Sequence, residues 1–169
     1  MPARRTLTAT GAAVTATAVA GALGTDVRSG WYRDLDKPSW QPPGWAFGPA
    51  WTTLYGLIIF GTARALDRTA SPAERRGLQR SLAANLVLNA GWNWLFFRAR
   101  RPDLALGEVV LLEASTLDLA RRAGRSDPAA GRLLWPYAGW VAFATALNAS
   151  IARRNRPRQP TTATHRRTS

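Results

Sequence analysis

Long stretches without a charged residue are the feature that most constrains the fold of this chain. Four of them reach or approach the length of a membrane span, namely residues 6–25, 39–63, 81–97 and 133–152. A helix needs roughly 20 mostly apolar residues to cross the ~30 Å hydrocarbon core of a bilayer. Clusters of arginine lie between these stretches, so the pattern predicts membrane-crossing helices that are joined by basic loops.

A fifth stretch of suitable length carries acidic residues and is harder to assign. Residues 104–120 contain Glu108, Glu113 and Asp118, and hydropathy alone predicts a partly buried or interfacial helix there. The boundaries of this stretch are typical of a span, because Pro102 precedes it and a pair of arginines with a glycine follows it. Five helices is therefore the working count.

The predicted fold is an all-α membrane protein with one five-helix domain over residues 1–155 and a disordered basic tail at 156–169. Its helices are placed at about residues 6–25, 47–66, 78–97, 103–122 and 132–153. The first segment has a rival interpretation as a cleaved signal peptide, since Arg4 and Arg5 precede an apolar run that ends in small residues. That run is longer than the apolar region of a typical signal peptide, and small residues four apart equally suit close helix packing in lipid.

Charge and composition exclude several classes of function. The formal charge is +13, and 22 of the 23 basic residues are arginine. Because the arginines cluster at the ends of the apolar stretches, we assign them to lipid headgroups and expect no nucleic-acid partner. The absence of cysteine excludes disulfides, thiolate catalysis and iron–sulfur clusters. The only histidine, His165, lies in the polar tail, so no metal site, no axially ligated haem enzyme and no required cofactor is expected.

The loop at residues 26–48 is rich in proline and tryptophan. Pro38, Pro42 and Pro43 lack backbone donors and fix φ, so the loop is predicted to be stiff and non-helical. An ordinary linker is polar, whereas this one is aromatic. It is therefore expected to fold back as a lid onto an apolar part of the bundle.

Aromatic and amide side chains gather in one half of the predicted bundle, beneath that loop. Helical spacing groups them as Trp51 and Tyr55 on the second helix, Asn85, Asn89 and Trp92 on the third, and Trp140, Ala144 and Asn148 on the fifth. Polar groups at membrane depth normally face the bundle interior or a cavity, so the pattern predicts one aromatic and amide-lined pocket. Two alternatives stay open: a tryptophan near a helix end is often an interfacial anchor, as suits Trp45 and Trp135, and asparagines often join helices to one another.

Three groups of residues stand in a distinctive order. The first runs through the loop and the second helix: Trp31, Tyr32, Lys37, Pro38, Trp40, Pro42, Pro43, Trp45, Phe47, Gly48, Pro49, Trp51 and Tyr55. The second comprises Leu88, Asn89, Trp92, Phe96 and Phe97, and the third comprises Leu133, Leu134, Pro136, Tyr137, Trp140, Phe143, Ala144, Leu147 and Asn148. In order and spacing, these groups closely resemble the signatures of the translocator protein / tryptophan-rich sensory protein (TspO/MBR) family, over about residues 6–155.

The resemblance implies a five-helix bundle, usually a homodimer, that binds porphyrins such as protoporphyrin IX and, in some members, sterols. It maps the family's ligand pocket onto Trp40, Pro42, Trp51, Asn89, Trp92, Trp140, Ala144 and Asn148. Some bacterial relatives are linked to light-dependent porphyrin breakdown, for which Trp51 and Trp140 would be the candidates here. This chain has Asn85 where the family often has glutamine, and Ala149 where a proposed sterol motif needs tyrosine. High-affinity cholesterol binding is therefore not expected.

The expected function is that of an integral, multi-pass protein of a bacterial cell membrane that binds protoporphyrin IX or haem. It would sense, sequester, remove or help degrade the tetrapyrrole, and no conventional enzyme chemistry is expected. The expected partners are a porphyrin or another amphipathic small molecule, membrane lipids and a second copy of the chain. One alternative is a secondary transporter, with Glu108, Glu113 and Asp118 as candidates for ion coupling. Another is a structural or signalling subunit whose tryptophans are anchors.

Overall fold

The computed structural model describes residues 1–156, and this part of the chain is helical with no strand. Its elements are α1 (Arg4–Gly24), α2 (Gly30–Asp34), α3 (Gly44–Arg68), α4 (Pro72–Asn93), which continues as a π-helical segment (Trp94–Arg98), α5 (Pro102–Ser126) and α6 (Pro128–Arg154). The all-α prediction is confirmed. The predicted disordered tail lies outside the described residues except for Arg156.

The four later long helices extend further than predicted because local signals add residues at their ends. Pro72, Pro102 and Pro128 each stand in the first turn, where a missing N–H costs nothing. The side chain of Ser71 accepts the backbone N–H of Glu74, and the Asp127 carboxylate accepts those of Ala129 and Ala130. These caps begin α4 and α6 in charged sequence, beyond the apolar stretches.

The prediction that residues 26–48 are non-helical is wrong at two places. A short helix, α2, forms at Gly30–Asp34, and α3 begins at Gly44. The hydroxyl of Ser29 caps α2 by accepting the backbone N–H of Tyr32 at 3.3 Å. The prolines responsible for the prediction lie between these helices or at the N-cap of α3, so they leave both helices free to form.

The segment α1 is an integral part of the bundle. It packs against α3 and α4 through a buried stripe that includes Thr10, Val14 and Gly21. Its first turn is fastened to the end of α3, because the Asp67 carboxylate accepts the backbone N–H of Ala3 and the hydroxyl of Thr6. This packing favours a bundle helix over the signal-peptide interpretation.

Close contacts between helices occur where glycine removes the side chain. The tightest joins α5 to α6, since a Cβ on Gly131 would lie 2.7 Å from the Cα of Gly124. By length and composition alone, α1 is the one helix of the described chain that is apolar enough to cross a membrane. The other long helices contain indoles, amides, glycines and charged ends, all of which lower their mean hydropathy.

Candidate functional site

A cavity of about 560 Å³ lies inside the bundle, bounded by all five long helices, the π-helical segment and the loop before α3. Most of the predicted site residues line it: Trp51, Tyr55, Asn89, Trp92, Trp140, Ala144 and Asn148. Helical spacing explains their convergence, because residues three or four positions apart share one face of a helix. The predicted faces of α3, α4 and α6 therefore meet at a common space.

Three predicted residues lie outside the cavity lining. Asn85 is fully buried below it and bonds to other side chains of the core. Trp40 is half exposed and makes an edge-to-face contact with Phe143, with ring centroids 5.8 Å apart. Pro42 is partly buried in the loop. Of the three, Trp40 contacts a residue that lines the cavity, Phe143.

A chain of hydrogen bonds runs from the cavity wall into the core. The hydroxyl of Tyr55 donates to Asn89 Oδ1 at 3.1 Å, and Asn89 Nδ2 donates to the hydroxyl of Tyr137 at 3.0 Å. Tyr137 donates in turn to Asn85 Oδ1 at 3.1 Å, and Asn85 Nδ2 donates to Thr116 Oγ1 at 2.9 Å. Four helices are joined in this way. Both side-chain amides in this series of hydrogen bonds, Asn89 and Asn85, use their oxygen as an acceptor and their nitrogen as a donor, as buried polar groups require.

A second pair of bonds engages the other cavity amide. The indole N–H of Trp92 donates to Asn148 Oδ1 at 2.9 Å, and Asn148 Nδ2 donates to the carbonyl of Pro102 at 2.8 Å. The bond from Asn148 reaches the first residue of α5. The amides of Asn89 and Asn148 are thus committed within the protein, which favours the interpretation that asparagines join the helices over a role as primary ligand contacts.

The walls of the cavity are aromatic. The rings of Trp92 and Phe96 are stacked with centroids 5.1 Å apart, and Trp51 meets Trp140 edge to face at 6.4 Å. Phe47, from the start of α3, packs on Trp140 at 5.8 Å. Within residues 1–156, the indole N–H groups of Trp51 and Trp140 have no hydrogen-bond partner. They remain available as donors.

Phe96 and Phe97 also line the cavity, and sequence reasoning did not assign them to it. Two consecutive residues of an α-helix point about 100° apart, yet both of these are buried. They lie in the π-helical segment, in which the N–H of Ala99 bonds to the carbonyl of Trp94 at 2.8 Å. The wider turn brings both rings inward. The sequence did contain a signal for this position, since Phe96 and Phe97 both belong to the second of the three groups of residues that resemble the family.

The loop covers one end of the cavity and is fastened at two points. Trp31 and Tyr32 of α2 pack on Phe96 with centroids 5.8 and 6.4 Å away. Asn155, at the end of α6, accepts the backbone N–H of Asp36 at 2.9 Å and donates to its carbonyl at 3.0 Å. Trp45 is 77% exposed and does not belong to the cover.

Lys37 and Tyr32 stabilise this cover by a further contact. The Lys37 ammonium lies 4.6 Å from the centre of the Tyr32 ring and donates to the carbonyls of Arg33 and Leu35. The pKa of the Tyr32 hydroxyl is raised, because the effect of burial outweighs that of a hydrogen bond from Gln41, which lowers it. Tyr32 therefore lines the cavity as a neutral phenol.

No charged side chain of the described chain lines the cavity. Asp118 pairs with Arg122 at 2.7 Å and accepts the Ser81 hydroxyl at 2.8 Å, away from the cavity. Both carboxylate oxygens of Glu108, and one of Glu113, are buried without a hydrogen-bond partner among residues 1–156. Neither residue lines the cavity. The interior surface available to a ligand is therefore aromatic, aliphatic and neutral-polar.

Comparison with known proteins agrees with these features. A model of the TspO/MBR family matches residues 9–154. The chain is 36% identical over 126 residues to the human (Homo sapiens) translocator protein, covering 74% of this chain and 75% of that protein. It is 36% identical over 149 residues to protein CrtK of Rhodobacter capsulatus, covering 87% and 92%. It is also 35% identical over 137 residues to the tryptophan-rich protein TspO of Chlorobaculum tepidum, covering 80% and 87%. The resemblance inferred from the three groups of residues is confirmed, and the chain belongs to the TspO/MBR family.

Proposed function

We propose that this protein is an integral membrane protein that binds a tetrapyrrole in the cavity between its five long helices. The observation that carries the proposal is the interior cavity of about 560 Å³, whose lining is aromatic and uncharged. Small-molecule sites typically measure about 300–1,000 Å³ and are mostly apolar with a few polar groups. Membership of a family of membrane proteins supports insertion in a bilayer, as do the arginines at the helix ends.

The shape and chemistry of a porphyrin suit this lining. A porphyrin is a flat apolar macrocycle that carries two carboxylates on one edge. Trp51, Trp92 and Trp140 offer indole faces and edges to the macrocycle, and aromatic rings favour such stacked or edge contacts. The carboxylates would lie at the loop end, where Lys37, Arg98 and Arg154 are placed, because burying an uncompensated charge is costly.

A titration in the dark tests the proposal. Protoporphyrin IX is expected to quench tryptophan fluorescence of the reconstituted protein saturably. Because both indoles line the cavity, the double variant Trp51→Ala/Trp140→Ala should bind more weakly by a factor of about 10 or more, given roughly 0.5–1.5 kcal/mol for each aromatic contact beyond its buried area. Trp135→Ala is the matched control, since Trp135 is half exposed and lies outside the cavity lining. Equal affinity of the double variant and the control would overturn the proposal.

Light-dependent breakdown of the bound porphyrin is a second candidate function. The observation that favours it is the position of Trp51 and Trp140, which both line the cavity and could each contact an excited ligand. Product analysis after illumination, against a dark sample and the double variant, tests it. Loss of porphyrin at the same rate with and without the two tryptophans would exclude this activity. Ion-coupled transport is not proposed, because no acidic residue of the described chain lines the cavity.

A further inference from the structure

The interior cavity has a neighbour on the outer surface of the bundle. A groove of about 450 Å³ runs between α3 and α6 and is lined by residues that include Pro49, Thr53 and Gly139. Trp140 and Phe143 line this outer groove and also line the interior cavity. These two side chains are therefore the partition between the groove and the ligand site.

The two helices are in tight contact on one side of the groove. At Gly61 of α3, a Cβ would lie 3.2 Å from the carbonyl oxygen of Ala130 in α6, so the helices touch there. The groove lies nearer the loop end, from Leu57 to Pro49, about 6–18 Å along the helix at 1.5 Å per residue. The helices therefore touch at Gly61 and leave a groove between them nearer the loop.

Both helices are locally weakened at the groove. Pro49 in α3 and Pro136 in α6 lie inside their helices and line the groove. A proline removes one N–H from the hydrogen-bond ladder and favours a kink at its position. Pro136 lies between the α6 residues that contact Gly61 and the groove residues Gly139 to Phe143, so a bend there would change the width of the groove while the contact at Gly61 is kept.

The partition itself is held by ring contacts. Trp140 packs on Phe143 with centroids 5.4 Å apart, and on Phe47 at 5.8 Å. Neither Trp140 nor Phe143 makes a side-chain hydrogen bond in the described part of the chain. Rotation of these rings therefore breaks no polar bond, in contrast to Trp92, which is fixed by Asn148.

We propose that the groove between α3 and α6 is a lateral portal, through which a flat apolar ligand passes between the bilayer and the cavity when Trp140 and Phe143 rotate. This inference rests on the proposed function, since it requires a membrane-dissolved ligand that binds in the cavity. The loop cover, fastened to α6 by Asn155, stays closed during passage. Access of the ligand to the cavity then depends on its partitioning into the bilayer. Trp140 is both a residue of the cavity lining and one of the two side chains that open the portal.

Association kinetics test the portal. Gly139 lines the groove but not the cavity, and a Cβ built on it meets no atom within 4 Å, so Gly139→Leu adds a side chain to the groove with no clash at its Cβ. Protoporphyrin IX dissolved in phosphatidylcholine–phosphatidylglycerol vesicles is mixed in the dark with protein in vesicles of the same composition, and tryptophan quenching is followed by stopped flow. Association and dissociation should both slow by about tenfold, within the ~1–3 decades over which association rates vary among related variants. Kd is expected to be unchanged, because the cavity is untouched.

The matched control is Gly107→Leu on α5, a glycine whose Cβ also meets no atom within 4 Å and which lines neither space. It should bind at the rate of the wild type. Thr53→Leu adds bulk from the opposite wall, at an exposed residue, and should slow binding as Gly139→Leu does, which keeps the test decisive if one variant fails to fold.

Two outcomes overturn the portal. If Gly139→Leu and Thr53→Leu bind at the control rate while binding stays saturable, the portal is wrong and the proposed function stands. If releasing the loop with Asn155→Ala accelerates binding and the groove variants do not slow it, the ligand passes under the loop. Absence of saturable binding by the wild type removes the proposed function, and the portal with it.

Discussion

Tyr137 is the residue that orders the interior of the bundle. It is fully buried, and its hydroxyl accepts from Asn89 and donates to Asn85. Because the hydroxyl uses donor and acceptor together, it fixes the orientation of both amides. Asn89 then holds the hydroxyl of Tyr55 at the cavity wall. One buried oxygen therefore orients Asn89 and, through it, Tyr55 at a cavity wall that Tyr137 does not itself line.

Tyr137→Phe is expected to destabilise the protein by about 1–3 kcal/mol, because both amides lose a partner while they stay buried. Tyr55→Phe is the control: it removes a hydroxyl at the cavity wall, where water can take its place, so its cost should be smaller. Thermal unfolding in detergent compares the two variants with the wild type. A Tyr137→Phe variant as stable as the wild type would show that the network contributes nothing to folding.

Asp127 makes stability depend on pH at the turn between α5 and α6. Burial raises its pKa, but hydrogen bonds from the backbone of Ala130 and Ala129 and from Arg64 outweigh burial and hold the pKa below its usual range. A lowered pKa in the folded state means that the charge stabilises the fold above the unfolded pKa of about 3.9. That contribution is lost as pH falls through the folded value.

The variant Asp127→Asn keeps a capping oxygen but does not titrate. Its melting temperature should lie below that of the wild type at neutral pH, and the two values should converge below about pH 4, where the wild-type carboxylate becomes protonated. The measurement is Tm against pH for both proteins in the same detergent. If the difference in Tm between the two proteins is the same at neutral pH and below about pH 4, the charge of Asp127 does not stabilise the fold.

At the scale of elements, the π-helical segment is the junction between α1, the cavity and the loop. Its Trp94 donates to the carbonyl of Ala20 at 3.0 Å, and Arg98 donates to the carbonyl of Leu23 at 2.9 Å, so both satisfy carbonyls at the end of α1. The same segment turns Phe96 and Phe97 inward. The π-helical turn therefore both joins α1 to the bundle and shapes the cavity. Such turns are frequent at functional sites.

Gly24→Ala is expected to loosen this junction. A Cβ at this position would lie 2.9 Å from Trp94 Cδ1 and Nε1, so α1 or the indole must move, at a cost of about 1–3 kcal/mol. Gly107→Ala, in open space on α5, should instead stabilise by up to about 1 kcal/mol through helix propensity. Tm should fall in Gly24→Ala and rise in Gly107→Ala. An unchanged Tm in Gly24→Ala would contradict the close contact between Gly24 and Trp94.

At the scale of the whole molecule, the sequence predicts much of the architecture because its signals are local. Charge-free stretches and helix-start residues specify the long helices, and helical spacing places Trp51, Asn89 and Trp140 around one space. Asn85 has the same spacing as Asn89, yet it lies below the cavity, because Tyr137 from another helix stands between the two amides. The inward turn of Phe97 depends on a π-turn that no periodicity of 3.6 predicts. Tertiary contacts decide both positions.

The proposed tetrapyrrole binding requires that a ligand occupies the cavity between the five long helices, and a substitution that fills the cavity tests this requirement. Ala144 lines the cavity, whereas Ala142, on the same helix, is exposed and does not. Phenylalanine at position 144 occupies space that the ligand needs, so dark titration of Ala144→Phe with protoporphyrin IX should give a Kd raised by about tenfold or more, equal to at least ~1.4 kcal/mol. Ala142→Phe should retain the wild-type Kd. Indistinguishable Kd values for the two variants would contradict binding in this cavity.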